Sequence, residues 1–290
     1  MNKINVAFIG LGVMGYPMAG HLSKNENLNV TVYNRTSSKA EKWVEEYQGQ
    51  VASTPKEAAK DVEIVFVCVG NDNDLREVTL LDNGVLNSMK QGTLLVDHTT
   101  ASADIARELN LKCGENKIGF IDAPVSGGEA GAINGALTIM CGGKKADFEK
   151  AKDVMQAYSR YSKLLGEAGS GQLAKMMNQI CIAGVVQGLS EALQFGLNAG
   201  MDCEAVVEVI SKGAAGSWQM ENRHKTMLND QYEHGFAVDW MRKDLDIALN
   251  EAKKNGSTLP LTSLVDQFYA DIQKMGGNRW DTSSLLKRLV

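Results

Sequence analysis

The sequence predicts an α/β domain over residues 1–165 followed by an all-helical domain over residues 166–290. Three observations carry that division. Up to about residue 165, short β-branched runs alternate with amphipathic segments. After Gly166 no convincing strand pattern follows, and long segments of 3.6-residue period take over. The length, 290 residues, is more than one compact core usually needs.

In the first domain the runs at 4–9, 30–33, 64–69, 94–97, 120–123, 137–141 and 162–165 read as strands. Helix patterns fall between several of them, at 14–24, 38–46, 72–81, 102–112 and 146–158. Strand-helix alternation of this kind implies a mostly parallel sheet covered on both faces. In the second domain the helical segments are 171–199, 203–211, 238–255 and 261–275. No Pro/Gly/Ser-rich linker, internal repeat or low-complexity tract marks the change near 166, so the first long helix is expected to begin directly against the sheet.

The bulk properties narrow the function. A formal net charge of −5, with acidic and basic residues interspersed, argues against a nucleic-acid or anionic-membrane partner and for a small-molecule ligand. Five cysteines, mostly among apolar neighbours, form no CxxC pair and show no Cys/His ligand spacing, as in a reduced, metal-free protein. The apolar run at 4–11 suits a strand and turn better than a signal peptide, because glycines interrupt it at 10, 12 and 15. No stretch approaches the about 20 apolar residues that span a bilayer. The expectation is a soluble, cytoplasmic chain.

Residues 9–20 read IGLGVMGYPMAG, with a strand before and a helix pattern after. In Gly10-Leu11-Gly12-Val13-Met14-Gly15 the first glycine would allow the tight turn and the second a close approach of backbone to a pyrophosphate. The third would let the helix pack close and leave the anion at its N-terminus. This is the fingerprint of a Rossmann dinucleotide-binding domain. The next strand should deliver a ribose-reading residue about 20 positions on, and Asn34-Arg35-Thr36 stands there in place of an acid. Asn34 would not repel a 2′-phosphate, Arg35 offers a fork of donors and a flat face for adenine, and Thr36 adds a hydroxyl. NADP(H) is therefore predicted over NAD(H). The alternative is dual specificity, with Arg35 a solvated turn residue and Asn34 bonded to both ribose hydroxyls.

Two further stretches could carry chemistry. The strand ending Asp122-Ala-Pro-Val-Ser126-Gly127-Gly128 is followed by more glycines, and leaves successive N–H groups uncovered, an arrangement suited to a carboxylate. Read alone it is also simply a glycine-rich loop. In Gly169-Ser-Gly171-Gln-Leu-Ala-Lys175-Met-Met-Asn178-Gln179, the residues Lys175, Asn178 and Gln179 stand at i, i+3 and i+4, on one helical face, with Leu173, Met176, Met177 and Ile180 as packing. A lysine in a dry pocket can donate and recover a proton near neutral pH; on its own it reads equally as an exposed helix lysine.

Taken together, GLGVMG at 10–15, DAPVSGG at 122–128, GSGQLAKMMNQ at 169–179 and KDLDIA at 243–248 resemble the β-hydroxyacid dehydrogenases, the family of 3-hydroxyisobutyrate dehydrogenase and tartronate semialdehyde reductase. The resemblance runs over essentially the whole chain. It implies that Lys175 is catalytic, that Ser126, Gly127 and Gly128 bind the substrate carboxylate, and that Asn178 orients the substrate. It also implies that Lys243 reaches the cofactor, that Thr100 lines the nicotinamide site, and that the loop around Val69 contacts the cofactor mainly through backbone. Gln179 stands where the second asparagine of the common Lys-x-x-Asn-Asn form would be, and is grouped with the substrate-binding residues. The stretch 213–224, with its glycines and exposed-looking Trp218, reads as a loop shaping the substrate side.

Other residues have plain readings. His98 at a strand end is taken as a packing or cofactor-contact residue, His224 and His234 as unrelated to any metal, and Met14, Met176 and Met177 as core filling. The expected protein is an NADP(H)-dependent oxidoreductase acting on a small β-hydroxyacid or carboxylated aldehyde, of the 3-hydroxyisobutyrate, glycerate/tartronate semialdehyde or 4-hydroxybutyrate/succinic semialdehyde type. A homodimer or homotetramer is expected, because long apolar helix faces need covering. The competing readings are an imine reductase of the same architecture, which would lack the lysine and need no anion loop, and a non-catalytic NADP-binding protein.

Overall fold

The structure is a computed structural model and describes residues 3–290. The described residues fold as two compact units that divide between Lys175 and Met176. The division lies inside a helix, beyond the expected boundary at 165/166, because the first turn of that helix is hydrogen-bonded to the sheet of the first unit.

The first unit runs β1 (Ile4–Ile9), α1 (Gly15–Ser23), β2 (Leu28–Tyr33), α2 (Ser37–Glu46), β3 (Gln50–Val51), α3 (Pro55–Ala58), β4 (Ile64–Val67) and α4 (Asp72–Thr79). It continues through β5 (Leu94–Asp97), α5 (Ala103–Glu115), β6 (Gly119–Asp122), β7 (Val125–Ser126), α6 (Gly128–Ile133), β8 (Leu137–Gly143), α7 (Lys145–Met155) and β9 (Ser159–Gly166). One sheet holds them in the order β3-β2-β1-β4-β5-β6-β8-β7, with β9 paired to β8. The pairs from β3 to β6 are parallel, whereas β8 runs antiparallel to β6 and β7. The order reverses between β1 and β4, the switch point at which open α/β sheets bind ligands.

Both faces of this sheet are buried, which is why its central strands are uninterrupted apolar runs such as Ile64-Val-Phe-Val67. Val6, Phe8 and Phe66 face one core with Met18, Ala19 and Leu22 of α1. Ala7, Ile9, Val65 and Val67 face the other with Ile105, Ala106, Leu109 and Cys113 of α5. The register aligns Tyr33, Ile9, Val67, Asp97 and Asp122 in one row across five strands. The segments that follow this row carry most of the predicted site.

The helix α8 (Ser170–Asn198) passes into the second unit, which adds α9 (Cys203–Ile210), α10 (Trp218–Leu228), α11 (Val238–Asn255), α12 (Pro260–Lys274) and a 3-10 turn at Thr282–Arg288. Local signals set the ends. Asp202 caps α9, Ser217 caps α10, Gly256 in the left-handed region stops α11, and Pro260 opens α12. Val238, Met241 and Leu245 of α11 pack with Val265, Tyr269 and Ile272 of α12 and with Ala183 and Val186 of α8.

Four expectations need correcting. Residues 218–228 form a helix rather than a loop; its buried stripe, Met220, His224 and Met227, has helical spacing, but a histidine within it disguises the pattern. Residues 128–133 likewise form a short helix, α6, within the glycine-rich stretch. Met177 is 68 % exposed and fills no core. Finally, α8 is long and apolar enough to cross a membrane by composition, with a mean hydropathy of 1.4 over its best window. The core helix of a globular domain passes the same test, and 39 % of that window is buried.

Candidate active site

The glycine loop joins β1 to α1 at the switch point. Gly10 has φ of +98°, and a side chain there would run into the carbonyl oxygen of Cys68, so only glycine makes this turn. At Gly12 a Cβ would meet nothing within 4 Å, which leaves its backbone open to a ligand. The N-terminus of α1 has no capping side chain, with Met14 at the cap position. Leu11 is buried, Val13 is exposed, and Gly15 packs against the backbone of Gly10. These features fit a dinucleotide pyrophosphate, whose charge the helix N-terminus would receive.

The residues after β2 are arranged differently from the simplest expectation. The Asn34 carboxamide accepts from the Leu11 N–H at 2.9 Å and donates to the Thr36 carbonyl at 3.0 Å, so it ties the β2 end to the glycine loop. Arg35 is the outward group. Its Nη1 lies 3.2 Å from Oδ1 of Asp74, in the first turn of α4, and its side chain is 75 % exposed. Thr36 occupies the cap position of α2, where its side chain makes no capping bond.

At the ends of β5 and β6 two carboxylates stand side by side, Asp97 and Asp122, in register and fully buried. Burial pushes Asp97 up to about 7, and the neighbouring charges of Asp122 and Asp72 add to this while bonds from Thr99 oppose it. Burial pushes Asp122 up to about 6 against the pull of backbone N–H groups. Asp122 accepts from the N–H of Gly169 at 2.7 Å and of Gln172 at 2.9 Å, which fixes the start of α8. The Gln172 side chain then accepts from the Ala101 N–H at 3.1 Å and donates to the Thr99 carbonyl at 2.7 Å. It thereby brackets Thr100 from both sides. Val69 is tied in by its N–H, which donates to the Thr99 hydroxyl at 3.0 Å. Lys175 follows one turn after Gln172 and is buried to 8 % exposure.

Ser126 ends β7 opposite Thr138 of β8, and Gly127 and Gly128 follow with φ of +129° and +63°. His98 is a packing residue. It is fully buried, bonds the Ala123 carbonyl and the Tyr158 hydroxyl at 2.6 and 2.8 Å, and stacks on Phe66. Burial lowers it to about 4, so the ring is neutral.

Within the second unit the Asn178 amide donates to the Gln179 side chain at 2.8 Å, and Gln179 donates to Oδ2 of Asp244 at 2.6 Å. The other carboxylate oxygen of Asp244 lies 3.1 Å from the Lys243 ammonium. Asn178, Gln179, Asp244 and Lys243 therefore form one chain of contacts. Sequence reasoning attached no role to Asp74, Asp97, Gln172 or Asp244. Only Gln172 carried a signal, an amide one turn before the lysine.

Known proteins similar to this chain identify its family. Residues 5–169 match the family model for the NAD binding domain of 6-phosphogluconate dehydrogenase. Residues 169–289 match the model described as NAD-binding of NADP-dependent 3-hydroxyisobutyrate dehydrogenase. The chain is 64 % identical, over 98 % of its own length and 97 % of the other's, to an uncharacterized oxidoreductase of Shewanella frigidimarina (strain NCIMB 400). It is 32 % identical to the 2-hydroxy-3-oxopropionate reductase of Escherichia coli (strain K12), covering 99 % of this chain and 97 % of that one. Among solved structures it is similar to Mycobacterium tuberculosis 3-hydroxyisobutyrate dehydrogenase with L-serine, at a TM-score of 0.87 and 26 % identity over 99 % of both chains. The chain belongs to the β-hydroxyacid dehydrogenase family, as an oxidoreductase that uses a nicotinamide cofactor to act on a CH–OH group.

Proposed function

We propose that the protein is an NADP(H)-dependent reductase of small carboxylated aldehydes and, in reverse, a dehydrogenase of the matching β-hydroxyacids. The observation that carries this reading is the anchoring of Lys175. Asp122 and Gln172 lock the start of α8 to the sheet one turn before the lysine, so the backbone from which its side chain projects is set by rigid elements. The glycine loop 10–15, Arg35 and Thr36 would hold the cofactor, with Val69 and Thr100 along its nicotinamide half. When bound, that cofactor supplies or accepts the hydride.

The chain's own residues handle binding and protons. The Nζ of Lys175 gives a proton to the aldehyde oxygen in reduction and takes the hydroxyl proton in oxidation. Backbone N–H groups of Ser126, Gly127 and Gly128 receive the substrate carboxylate, and the two positive-φ glycines leave that backbone unshielded. Asn178 orients the hydroxyl, held in its rotamer by Gln179 and, through it, by Asp244. Lys243, which pairs with Asp244, is assigned a cofactor contact on the family pattern. The compounds after which the E. coli reductase and the M. tuberculosis dehydrogenase are named, 2-hydroxy-3-oxopropionate and 3-hydroxyisobutyrate, are both short carboxylates of this kind.

The test is turnover of NADPH and NADH with tartronate semialdehyde, methylmalonate semialdehyde and succinic semialdehyde. One substrate used well above the others, with NADPH preferred, is the expected result. No turnover of any of them by folded, cofactor-bound protein would refute the reading.

A further inference from the structure

We propose that Asp74 is a specificity-determining residue that restrains the preference for the 2′-phosphorylated cofactor by holding Arg35. The inference rests on the assignment of Arg35 to the 2′-phosphate and goes beyond it.

The geometry of the two acids at the start of α4 separates their roles. Asp72 turns to α5, where its oxygens accept from the N–H and hydroxyl of Ser102. Asp74 instead points back to the end of β2. Its Oδ1 lies 3.2 Å from Nη1 of Arg35, and its Oδ2 accepts from the Asn71 amide at 3.1 Å. The Asp74 N–H donates to Oδ1 of that same Asn71, which caps the helix. The carboxylate is thus fixed through Oδ2 and its own backbone, independently of Arg35, and sits in a first turn where the helix dipole favours it. It is a built position; Arg35, exposed and on a turn, is the partner that can move.

A 2′-phosphate brings a charge of about −1.5 to −2 and acceptor oxygens that suit a guanidinium. To reach Arg35 it must displace or share the Asp74 carboxylate, and it then stands beside a fixed negative charge. NADH has no such group and meets neither penalty. Arg35 favours NADPH and Asp74 opposes it, so the ratio of the two cofactors is set by the pair and not by the arginine alone. Asn34, whose amide is used within the protein, leaves the discrimination to these two side chains.

The test is equilibrium binding of NADPH and NADH, followed by fluorescence, to the wild type and to Asp74→Asn, Asp74→Ala and Arg35→Ala, with thermal melts as the folding control. Asp74→Asn keeps the shape and leaves the Asn71 cap in place, and Asp74→Ala provides a second removal of the charge. A surface pair of this kind is weak, so each is expected to tighten NADPH binding about three- to tenfold, at 1.4 kcal/mol per tenfold. NADH should change by less than about twofold, and the NADPH gain should shrink as salt rises from about 50 to 500 mM. Arg35→Ala should weaken NADPH selectively. If Arg35→Ala does so while both Asp74 variants bind NADPH as the wild type does, Asp74 has no such role. If Arg35→Ala leaves NADPH affinity unchanged, the phosphate does not sit at Arg35 and both assignments fall. Neither result depends on which aldehyde the enzyme reduces.

Discussion

Asparagine at position 97 would change the pH dependence of stability in a calculable way. Asp97 is fully buried at the end of β5; its Oδ1 accepts from the Thr99 N–H at 2.9 Å, and its Oδ2 has no hydrogen-bond partner among the described residues. A carboxyl raised from 3.8 to about 7 holds its proton more tightly in the folded than in the unfolded chain. Its stabilising effect is therefore complete below about pH 4 and is lost as pH rises through about 7. That displacement corresponds to at most roughly 4 kcal/mol, of which roughly 3 falls between pH 5 and 8. Asparagine keeps an acceptor for Thr99 but places an unpartnered amide N–H₂ where Oδ2 was, at a cost of about 1–3 kcal/mol at every pH. Asp97→Asn should thus be less stable than the wild type in acid and should overtake it or draw level near pH 8. Asp122, raised to about 6, has the same sign and stays in the variant, which leaves it a shallower decline. Urea unfolding midpoints from pH 5 to 8.5 measure the difference. A gap between the two proteins that stays constant over that range would refute the argument.

The other outcomes concern the site and the second unit. Lys175→Ala should lose about 10²–10⁴-fold in kcat while NADPH affinity stays within a few-fold, read by steady-state kinetics and fluorescence titration. Gln172→Leu leaves the Thr99 carbonyl and the Ala101 N–H unpaired in a buried place, so about 2–4 kcal/mol of stability should go, together with turnover, in parallel denaturation and rate measurements. Gly10→Ala forces a side chain into the Cys68 carbonyl at φ of +98°; loss of NADPH binding and a lower melting temperature are expected. Asp281 accepts from Arg223, the Phe236 N–H and the Ser283 hydroxyl, so Asp281→Ala strands a half-buried guanidinium and should destabilise the protein by about 3–5 kcal/mol in urea.

By itself the sequence determined what local physics controls. The alternation of apolar runs set most strands and helices to within a few residues, and α11 to its ends, because burial on one face or two leaves a period in the chain. The glycines at 10, 12 and 15 announced a phosphate loop because no other residue suits that combination of turn, open backbone and close packing. Where the local signal was mixed, reading failed. A histidine in the buried stripe hid α10, and the glycines of 127–135 hid α6. The partners of the site were decided only by the tertiary structure. Arg35 meets Asp74 across 39 positions, Asp122 meets the N–H of Gln172 across 50, and Gln179 meets Asp244 across 65. In the first unit such pairs follow from strand order and register, which bring the ends of β2, β1, β4, β5 and β6 into one row. Neither periodicity nor spacing encodes that order, because it is fixed by how the sheet closes its core and not by any single segment.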